Sequence, residues 1–268
     1  MKVPGNNNSP VLFIDSGIGG IPYCRHFKEK NPSQNIVYLA DREHFPYGDR
    51  ERKELAGIII ELTEEAINKF NPKIIVLACN TASLAALSEL REKFPLLPFV
   101  GTVPAVKPAV LATKTGKIGV LGTELTINEP YLKELAARYG SCEIIGIAAP
   151  ELVEFVEKRF FSAPAEEKET TVRSYIDRFI SAGADGIVLG CTHFLLLLEE
   201  FHKEAAGSIA IFESINGISQ RLESLLGDSL PSQRVMHRLV ITGEAEPEAM
   251  WLNWAECLGF RLSLMDRL

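Results

Sequence analysis

Two cysteines occupy matching positions in the sequence. Cys79 follows the apolar residues 74–78, Cys191 follows the apolar residues 186–190, and a stretch rich in helix-capping side chains comes after each. Such apolar segments are typical of central strands in a parallel sheet. Side chains at the carboxyl ends of parallel strands face the crevice where α/β proteins bind their ligands. We therefore expect each thiol to be able to exchange a proton with a bound ligand.

The residues after the two cysteines are expected to increase this reactivity. Asn80, Thr81, Ser83 and Thr192 can cap the helix that follows, and the N-terminal end of a helix dipole favours a thiolate. The pKa of such a thiol is expected to lie below the free value of about 8.5. One cysteine in this context would more often be a small buried residue, but two in equivalent places favour a functional pair. The other three lack the context and are expected to be ordinary buried residues: Cys24, Cys142 and Cys257.

A glycine-rich segment over residues 15–20 follows the first predicted strand. It begins with Asp15, and Pro22 suits the first turn of a helix. A dinucleotide-binding fingerprint would need a glycine in place of Pro22, which argues against a site of that kind. The backbone N–H groups of the turn can still receive an anion such as a substrate carboxylate.

Neither a metal nor an organic cofactor is expected. The five cysteines are widely spaced, with no Cys-x-x-Cys pair, so the spacing does not fit a zinc site or a disulfide framework. A metal at Cys191 and His193 would have to recruit Cys79 and Asp15 as further ligands. No lysine lies in the cysteine motifs or in the glycine-rich segment, so no candidate for a Schiff base is evident.

Short apolar runs alternate with amphipathic stretches along the chain, a pattern typical of α/β proteins. Apolar residues at helical spacing predict a helix over 55–70 that ends at Asn71 and Pro72, and further helices over 166–183, 214–226 and 246–258. Strands are predicted at residues 11–14, 35–40, 74–78, near Phe99, and at 117–121, 143–147, 186–189, 208–212 and 238–241.

A weak internal repeat suggests two related halves. Residues 12–16 resemble residues 119–123, and residues 75–81 resemble residues 187–193 in the same order. We expect two similar, pseudo-symmetric, doubly wound α/β domains with parallel-type sheets and an active site in the cleft between them. The expected first domain covers residues 10–101 and 214–268, and the second covers residues 102–213.

Composition narrows the class of protein. The 268 residues suit roughly two domains. A net charge of −7 argues against a nucleic-acid binder, which normally has a basic face. No apolar run approaches the roughly 20 residues that cross a bilayer. The polar residues 1–10 contain no signal-peptide core. We expect a cytoplasmic protein that binds neither membrane nor nucleic acid.

Taken together, these motifs resemble the glutamate racemase family over roughly residues 10 to 215. The order and spacing of the segments match, and the two cysteine motifs together are the most specific part. The matching segments are Asp15-Ser16-Gly17-Ile18-Gly19-Gly20, Asp41 followed by Pro46-Tyr47-Gly48, Ala78-Cys79-Asn80-Thr81-Ala82, Val100-Gly101, Gly122-Thr123 with Thr126, and Gly190-Cys191-Thr192-His193.

The resemblance implies an isomerase that needs no cofactor, interconverts L- and D-glutamate, and supplies D-glutamate for bacterial peptidoglycan. It implies a homodimer as the assembly. Glu213 stands where members more often have Asp, and we expect it to affect local packing rather than activity. The family's catalytic positions match Cys79, Cys191, Asp15, His193 and Glu157, and its substrate-binding positions match Asp15, Ser16, Tyr47, Gly48, Asn80, Thr81, Thr192 and His193.

Two other functions stay open from the sequence. One is an aspartate, hydantoin or related racemase, or a one-thiol decarboxylase, of the same fold. Aspartate racemases usually have His and Glu where this chain has Ser83 and His193. The other is a binding or regulatory module that keeps the cleft without turnover, for which loss of a thiol would be the sign.

Overall fold

The computed structural model describes residues 8–128, 130–227, 235–243 and 246–265. The expectation about the polar amino-terminal stretch falls largely on residues 1–7, which lie outside the described residues. The chain forms two compact units, Met1–Thr102 with Ile215–Leu268 and Val103–Ser214. The first unit is therefore assembled from two separate parts of the sequence.

The first unit is built on a parallel sheet, six-stranded over the described residues, in the order β10-β9-β2-β1-β3-β4. The central strands β1, β2 and β3 are buried along their whole length because helices cover both faces of the sheet. The strands are β1 (Val11–Asp15), β2 (Ile36–Ala40), β3 (Ile74–Leu77), β4 (Phe99–Gly101), β9 (His237–Thr242) and β10 (Arg261–Met265).

The second unit is built on a smaller parallel sheet in the order β6-β5-β7-β8. Gly119 lies directly under the ring of Phe179, where a side chain would collide with that ring. The strands are β5 (Lys117–Gly122), β6 (Glu143–Ala148), β7 (Gly186–Leu189) and β8 (Ala210–Phe212).

The two sheets share strand order and register. The order β2-β1-β3-β4 corresponds to β6-β5-β7-β8. Leu12 pairs with Ile75 in the first sheet, and the residues that the repeat aligns with them, Gly119 and Ile187, pair with each other in the second. The internal repeat therefore places Cys79 and Cys191 at the same position relative to their own sheets.

Helices connect the strands and cover the sheets. The apolar stripe over residues 55–70 forms one face of α2, and the left-handed backbone of Asn71 ends that helix. The helices are α1 (Ile21–Lys30), α2 (Arg52–Phe70), α3 (Asn80–Lys93), α4 (Val106–Ala112), α5 (Glu124–Asn128), α6 (Pro130–Tyr139), α7 (Pro150–Arg159), α8 (Ala165–Ser181), α9 (Leu198–Ala205), α10 (Ile215–Leu226) and α11 (Ala249–Leu258).

The predicted α/β class with two similar parallel sheets is confirmed, and each predicted strand is present with ends that differ by two residues at most. The sequence reading missed β10, and a 3₁₀ helix over Thr192–Leu197 replaces the α-helix expected directly after Cys191. Among the helices of the described ranges, none has both the length and the apolar character that a membrane span requires.

Candidate active site

In the first unit, three reactive side chains stand at the carboxyl ends of neighbouring strands. Asp15 ends β1, Asp41 follows β2, and Cys79 comes two residues after β3. The backbone ladder continues past the strands, because the Ala78 amide donates to the Ile14 carbonyl at 2.7 Å and the Asp41 amide donates to the Asp15 carbonyl at 2.8 Å. This edge of the sheet carries two buried carboxylates and one buried thiol.

The glycine-rich segment lies close to the residue that precedes Cys79. A side chain on Gly20 would bring its Cβ within 2.6 Å of the Ala78 Cβ, so glycine is what permits this approach. The amide of Gly17 donates to Asp15 Oδ1 at 2.7 Å, and the Tyr38 hydroxyl donates to the Gly17 carbonyl at 2.8 Å. These bonds fix the turn, and Ser16 within it is buried.

Tyr47 links the segment after β2 to this edge. Its hydroxyl donates to Asp41 Oδ2 at 2.7 Å. Burial first, and then the negative charges of Asp41, Cys79 and Asp15, raise the pKa of Tyr47 well above its usual range. Tyr47 therefore stays protonated and lies within electrostatic range of both Cys79 and Asp15. The neighbouring Gly48 is half-buried.

Asp41, Glu43 and His44 form a cluster of potential metal ligands, whose ligand atoms lie within 4.8 Å of one another. Both oxygens of Asp41 already accept hydrogen bonds, however: Oδ1 from Thr242 at 2.7 Å and Oδ2 from Tyr47. A cation would have to displace these donors. The Asp41 carboxylate is thus already engaged in holding its neighbours.

Cys79 immediately precedes α3 and is its N-cap residue, in place of the residues predicted to cap the helix. The backbone of Cys79 is extended at this position. Ser83 lies inside the helix, where its hydroxyl donates to the Leu77 carbonyl and accepts from the Thr102 amide at 3.0 Å. The prediction that Ser83 caps the helix is therefore wrong. Asn80 and Thr81 are buried in the first turn, next to Cys79 in sequence.

In the second unit, Cys191 heads a buried chain of three polar side chains. Cys191 Sγ lies 3.7 Å from His193 Nδ1, and His193 Nε2 lies 2.7 Å from Glu157 Oε1 on α7. All three side chains are buried, as is Thr192 between the first two. The 3₁₀ turn that starts at Thr192 directs the imidazole back toward the thiol. Its N-cap residue is Cys191, so the prediction that Thr192 is the cap is wrong.

The charge of His193 follows from its two partners. Burial alone would lower the pKa of its imidazole. The hydrogen bonds to Cys191 and Glu157, together with the charges of these groups, outweigh burial and hold the pKa of His193 well above its usual range. The arrangement favours a protonated imidazole between the Cys191 sulfur and the Glu157 side chain.

The carboxylates near the two thiols lie on different kinds of element in the two units. In the second sheet, Gly122 and Ala149 occupy the positions of Asp15 and Asp41, as the amide of Ala149 donates to the Gly122 carbonyl at 3.0 Å. The second unit therefore has no carboxylate at these strand ends, and Glu157 reaches its thiol from a helix, through His193. At the end of β5, the Thr123 hydroxyl donates to the Thr126 hydroxyl at 3.1 Å.

The remaining cysteines have different surroundings. Cys24 is fully buried, and burial raises the pKa of its thiol strongly. Cys142 is half-buried, and burial raises the pKa of its thiol as well. Cys257 is exposed, so the expectation that it is buried is wrong. Within the described residues, Cys79 and Cys191 are the thiols at the carboxyl ends of β3 and β7.

Sequence reasoning gave Asp41 and Thr242 no role of their own. The signal for Asp41 was available, because it follows a buried strand just as Asp15 ends one. Its contact with Thr242 joins residues 201 positions apart, which no local pattern indicates.

Comparison with known proteins gives a consistent answer. The model of the Asp/Glu/Hydantoin racemase family matches residues 25–216. The chain is 38% identical to a glutamate racemase of Roseiflexus sp. (strain RS-1), with 81% of this chain and 79% of that protein covered. It is 36% identical to a glutamate racemase of Sphingopyxis alaskensis, with 91% and 92% covered.

Solved structures agree with the sequence relatives. Escherichia coli glutamate racemase, in complex with L-glutamate and the activator UDP-MurNAc-ala, is similar with a TM-score of 0.84 and 29% identity, covering 96% of this chain and 98% of that chain. The glutamate racemase isoform RacE1 of Bacillus anthracis gives 0.82 and 28%, covering 98% of both chains. An aspartate racemase homologue from Pyrococcus horikoshii, with a TM-score of 0.53, 19% identity and coverage of 81% and 98%, shares the fold.

Proposed function

Because this chain belongs to the Asp/Glu/Hydantoin racemase family and is thus an isomerase, we propose that it interconverts L- and D-glutamate with two cysteine bases. The observation that carries the proposal is the equivalent placement of two buried thiols. Cys79 and Cys191 follow corresponding strands of sheets with the same register, and each has an acid within its own unit. The names of the curated relatives support glutamate as the substrate.

In the proposed reaction the two thiols act on opposite faces of the α-carbon. A thiolate removes the α-proton, and the thiol on the other side donates a proton to the carbanion. One cysteine must therefore be ionised and the other protonated at the start of each turnover, and these roles exchange with the hand of the substrate. Such transfers need heavy atoms within about 3–3.5 Å.

The neighbours of each thiol are proposed to control its proton. His193, held as an imidazolium by Glu157, stabilises the Cys191 thiolate across the 3.7 Å contact. Asp15 is proposed to do the corresponding work for Cys79, at the same sheet edge. The negative charge that develops on the substrate carboxylate is proposed to be stabilised by hydrogen bonds from backbone N–H groups and the side chains of Asn80, Thr81 and Thr192.

Selection of glutamate over aspartate is proposed to follow from a fixed distance between the groups that bind the α-carboxylate of the substrate and those that bind its side-chain carboxylate. Ser16 and the Tyr47-Gly48 pair complete the proposed binding positions in the first unit. Aspartate is one methylene shorter, so anchoring both of its carboxylates would pull its α-carbon away from one thiol. A displacement of about 1 Å can reduce the rate about a hundredfold.

We further propose that the two compact units are the two catalytic domains, close to the expected 10–101 with 214–268 and 102–213, and that two chains form a homodimer. The D-glutamate produced is proposed to serve peptidoglycan synthesis in the cytoplasm. These proposals rest on the resemblance to glutamate racemases.

The decisive experiment is deuterium exchange at the α-carbon in D₂O, with glutamate and aspartate supplied separately. Exchange and racemisation of glutamate alone support the proposal, whereas comparable exchange of both amino acids contradicts it.

Cys79→Ala and Cys191→Ala should each abolish racemisation, and Cys142→Ala is the matched control with wild-type activity. Dialysis against a chelator should leave activity intact, and a requirement for a metal or pyridoxal phosphate would overturn the mechanism.

A further inference from the structure

The segment that carries Tyr47 is fastened to the carboxyl end of β9. Thr242, the last residue of that strand, donates its hydroxyl to Asp41 Oδ1 at 2.7 Å and accepts a hydrogen bond from the Glu43 amide at 3.3 Å. Thr242 and Asp41 are both fully buried. A single hydroxyl thus makes hydrogen bonds to a buried carboxylate and to a backbone amide on either side of Arg42.

Gly243 brings the same segment closer still. Its φ is +76°, and a Cβ at this position would lie 2.8 Å from the Glu43 Cα. Alanine would be strained in this backbone conformation and would also push against the backbone of the segment. The Arg42 guanidinium lies 4.3 Å from the ring centre of Phe45 and 5.8 Å from that of Trp251 on α11. β9, Gly243 and α11 therefore hold residues 41–43 by hydrogen bonds, close backbone packing and the contact of Arg42 with the Trp251 ring.

Asp41 transmits this attachment to Tyr47. Its Oδ1 accepts from Thr242 and its Oδ2 accepts from Tyr47, so one buried carboxylate joins the two hydroxyls. The half-buried His44 Nδ1 also lies 3.2 and 3.0 Å from these two oxygens. A buried carboxylate that loses one of its donors must find another partner or shift. Because Tyr47 is itself buried and within electrostatic range of Cys79, a shift of Asp41 displaces the site beside that thiol.

We propose that Thr242 is a positioning residue for substrate binding, which acts through Asp41 on the segment ending in Tyr47 and Gly48. This inference rests on the proposed function, in which that pair binds the substrate. Thr242 touches neither thiol directly in this scheme. Thr242 affects the positions of the groups that bind the substrate. These groups bind the substrate and the transition state equally well. Loss of such uniform binding raises KM and leaves kcat nearly unchanged.

Thr242→Val tests the proposal, because it keeps the shape of the side chain and removes the hydroxyl. We expect KM for glutamate to rise about tenfold with kcat within about threefold of wild type, as for loss of one hydrogen bond to a charged group. Thr242→Ser should restore KM to within about twofold. Thr63→Val is the matched control, since the buried Thr63 hydroxyl on α2 makes no hydrogen bond within the described residues.

The outcomes separate this inference from the proposed function. If the wild-type protein does not racemise glutamate, the proposed function fails. If it does, and Thr242→Val has the KM of wild type, or loses kcat at unchanged KM, the positioning role is overturned. Should Thr242→Val fail to fold, Thr242→Ala removes the same hydroxyl with a smaller side chain. An elevated KM in that variant supports the inference, and a wild-type KM overturns it.

Discussion

Replacing Glu157 by Gln isolates the contribution of the buried carboxylate behind His193. In the wild-type protein, His193 Nε2 lies 2.7 Å from the carboxylate oxygen Oε1 of Glu157. The substitution keeps the size of the side chain and an oxygen that can accept a hydrogen bond from His193 Nε2, but it removes the charge. Both side chains are about 5% exposed or less, so water screens the lost charge only weakly. A hydrogen bond to a charged group contributes about 1.5–3 kcal/mol, which corresponds to roughly a tenfold to hundredfold fall in kcat/KM.

The same loss moves the pKa of His193. Because the hydrogen bond to Glu157 and the charge of that carboxylate both raise the pKa of the imidazole, removing the charge should lower it. The imidazolium then loses its proton at a lower pH, and the alkaline limb of kcat/KM moves in the acid direction. The acid limb, for which we propose Asp15, should stay in place.

The assay is circular dichroism of racemisation, started separately from L- and D-glutamate across a range of pH. The two enantiomers have equal free energy in water, so kcat/KM must fall equally in both directions, which checks the measurement internally. Glu154→Gln is the control, because Glu154 lies on the same helix but pairs with Lys158 at the surface. Wild-type kcat/KM with an unmoved alkaline limb in Glu157→Gln would refute the reasoning.

Two further predictions concern stability. Gly119→Ala should lower the free energy of unfolding by about 1–3 kcal/mol, since its Cβ would lie 2.4 Å from the Phe179 ring, whereas Gly57→Ala, in open space on α2, should raise it by about 0.5–1 kcal/mol. Urea titration checks both, and equal effects would contradict the packing argument. The raised pKa of His193 means that the folded protein binds the proton more tightly than the unfolded chain. Its contribution to stability should be complete below about pH 6.5 and decline as pH rises through the folded pKa, so the free energy of unfolding should depend less on pH above 6.5 in His193→Asn.

The central strands were predictable because they are buried on both faces and so appear as continuous apolar runs. The positions of Cys79 and Cys191 followed directly, since each comes just after such a run. β10 was missed because Arg261–Met265 lies at the edge of its sheet and mixes polar with apolar residues. This strand therefore lacks the continuous apolar signal of the central strands.

The candidate site was predictable only in part. Asp15 could be placed because it directly ends an apolar strand, but Glu157 and Tyr47 were indicated by family resemblance alone. The contact of Glu157 with His193 joins residues 36 positions apart on separate elements. Such contacts depend on how helices pack on the sheet, and local patterns do not contain this information. The predicted caps failed for a related reason: the cysteines themselves occupy the N-cap positions.

The discontinuous first unit has a consequence for synthesis on the ribosome. β1 to β4 and the whole second unit are translated before β9. Because β9 pairs with β2, β2 is an exposed edge strand in the nascent chain until β9 has been made. An unpaired edge is a template for pairing with other chains, and domains generally fold as units while translation proceeds. Thr242 reaches Asp41 only after β9 has docked on β2. Completion of the segment that carries Tyr47 therefore follows the synthesis of the whole second unit, although β1 and β2 are made before that unit.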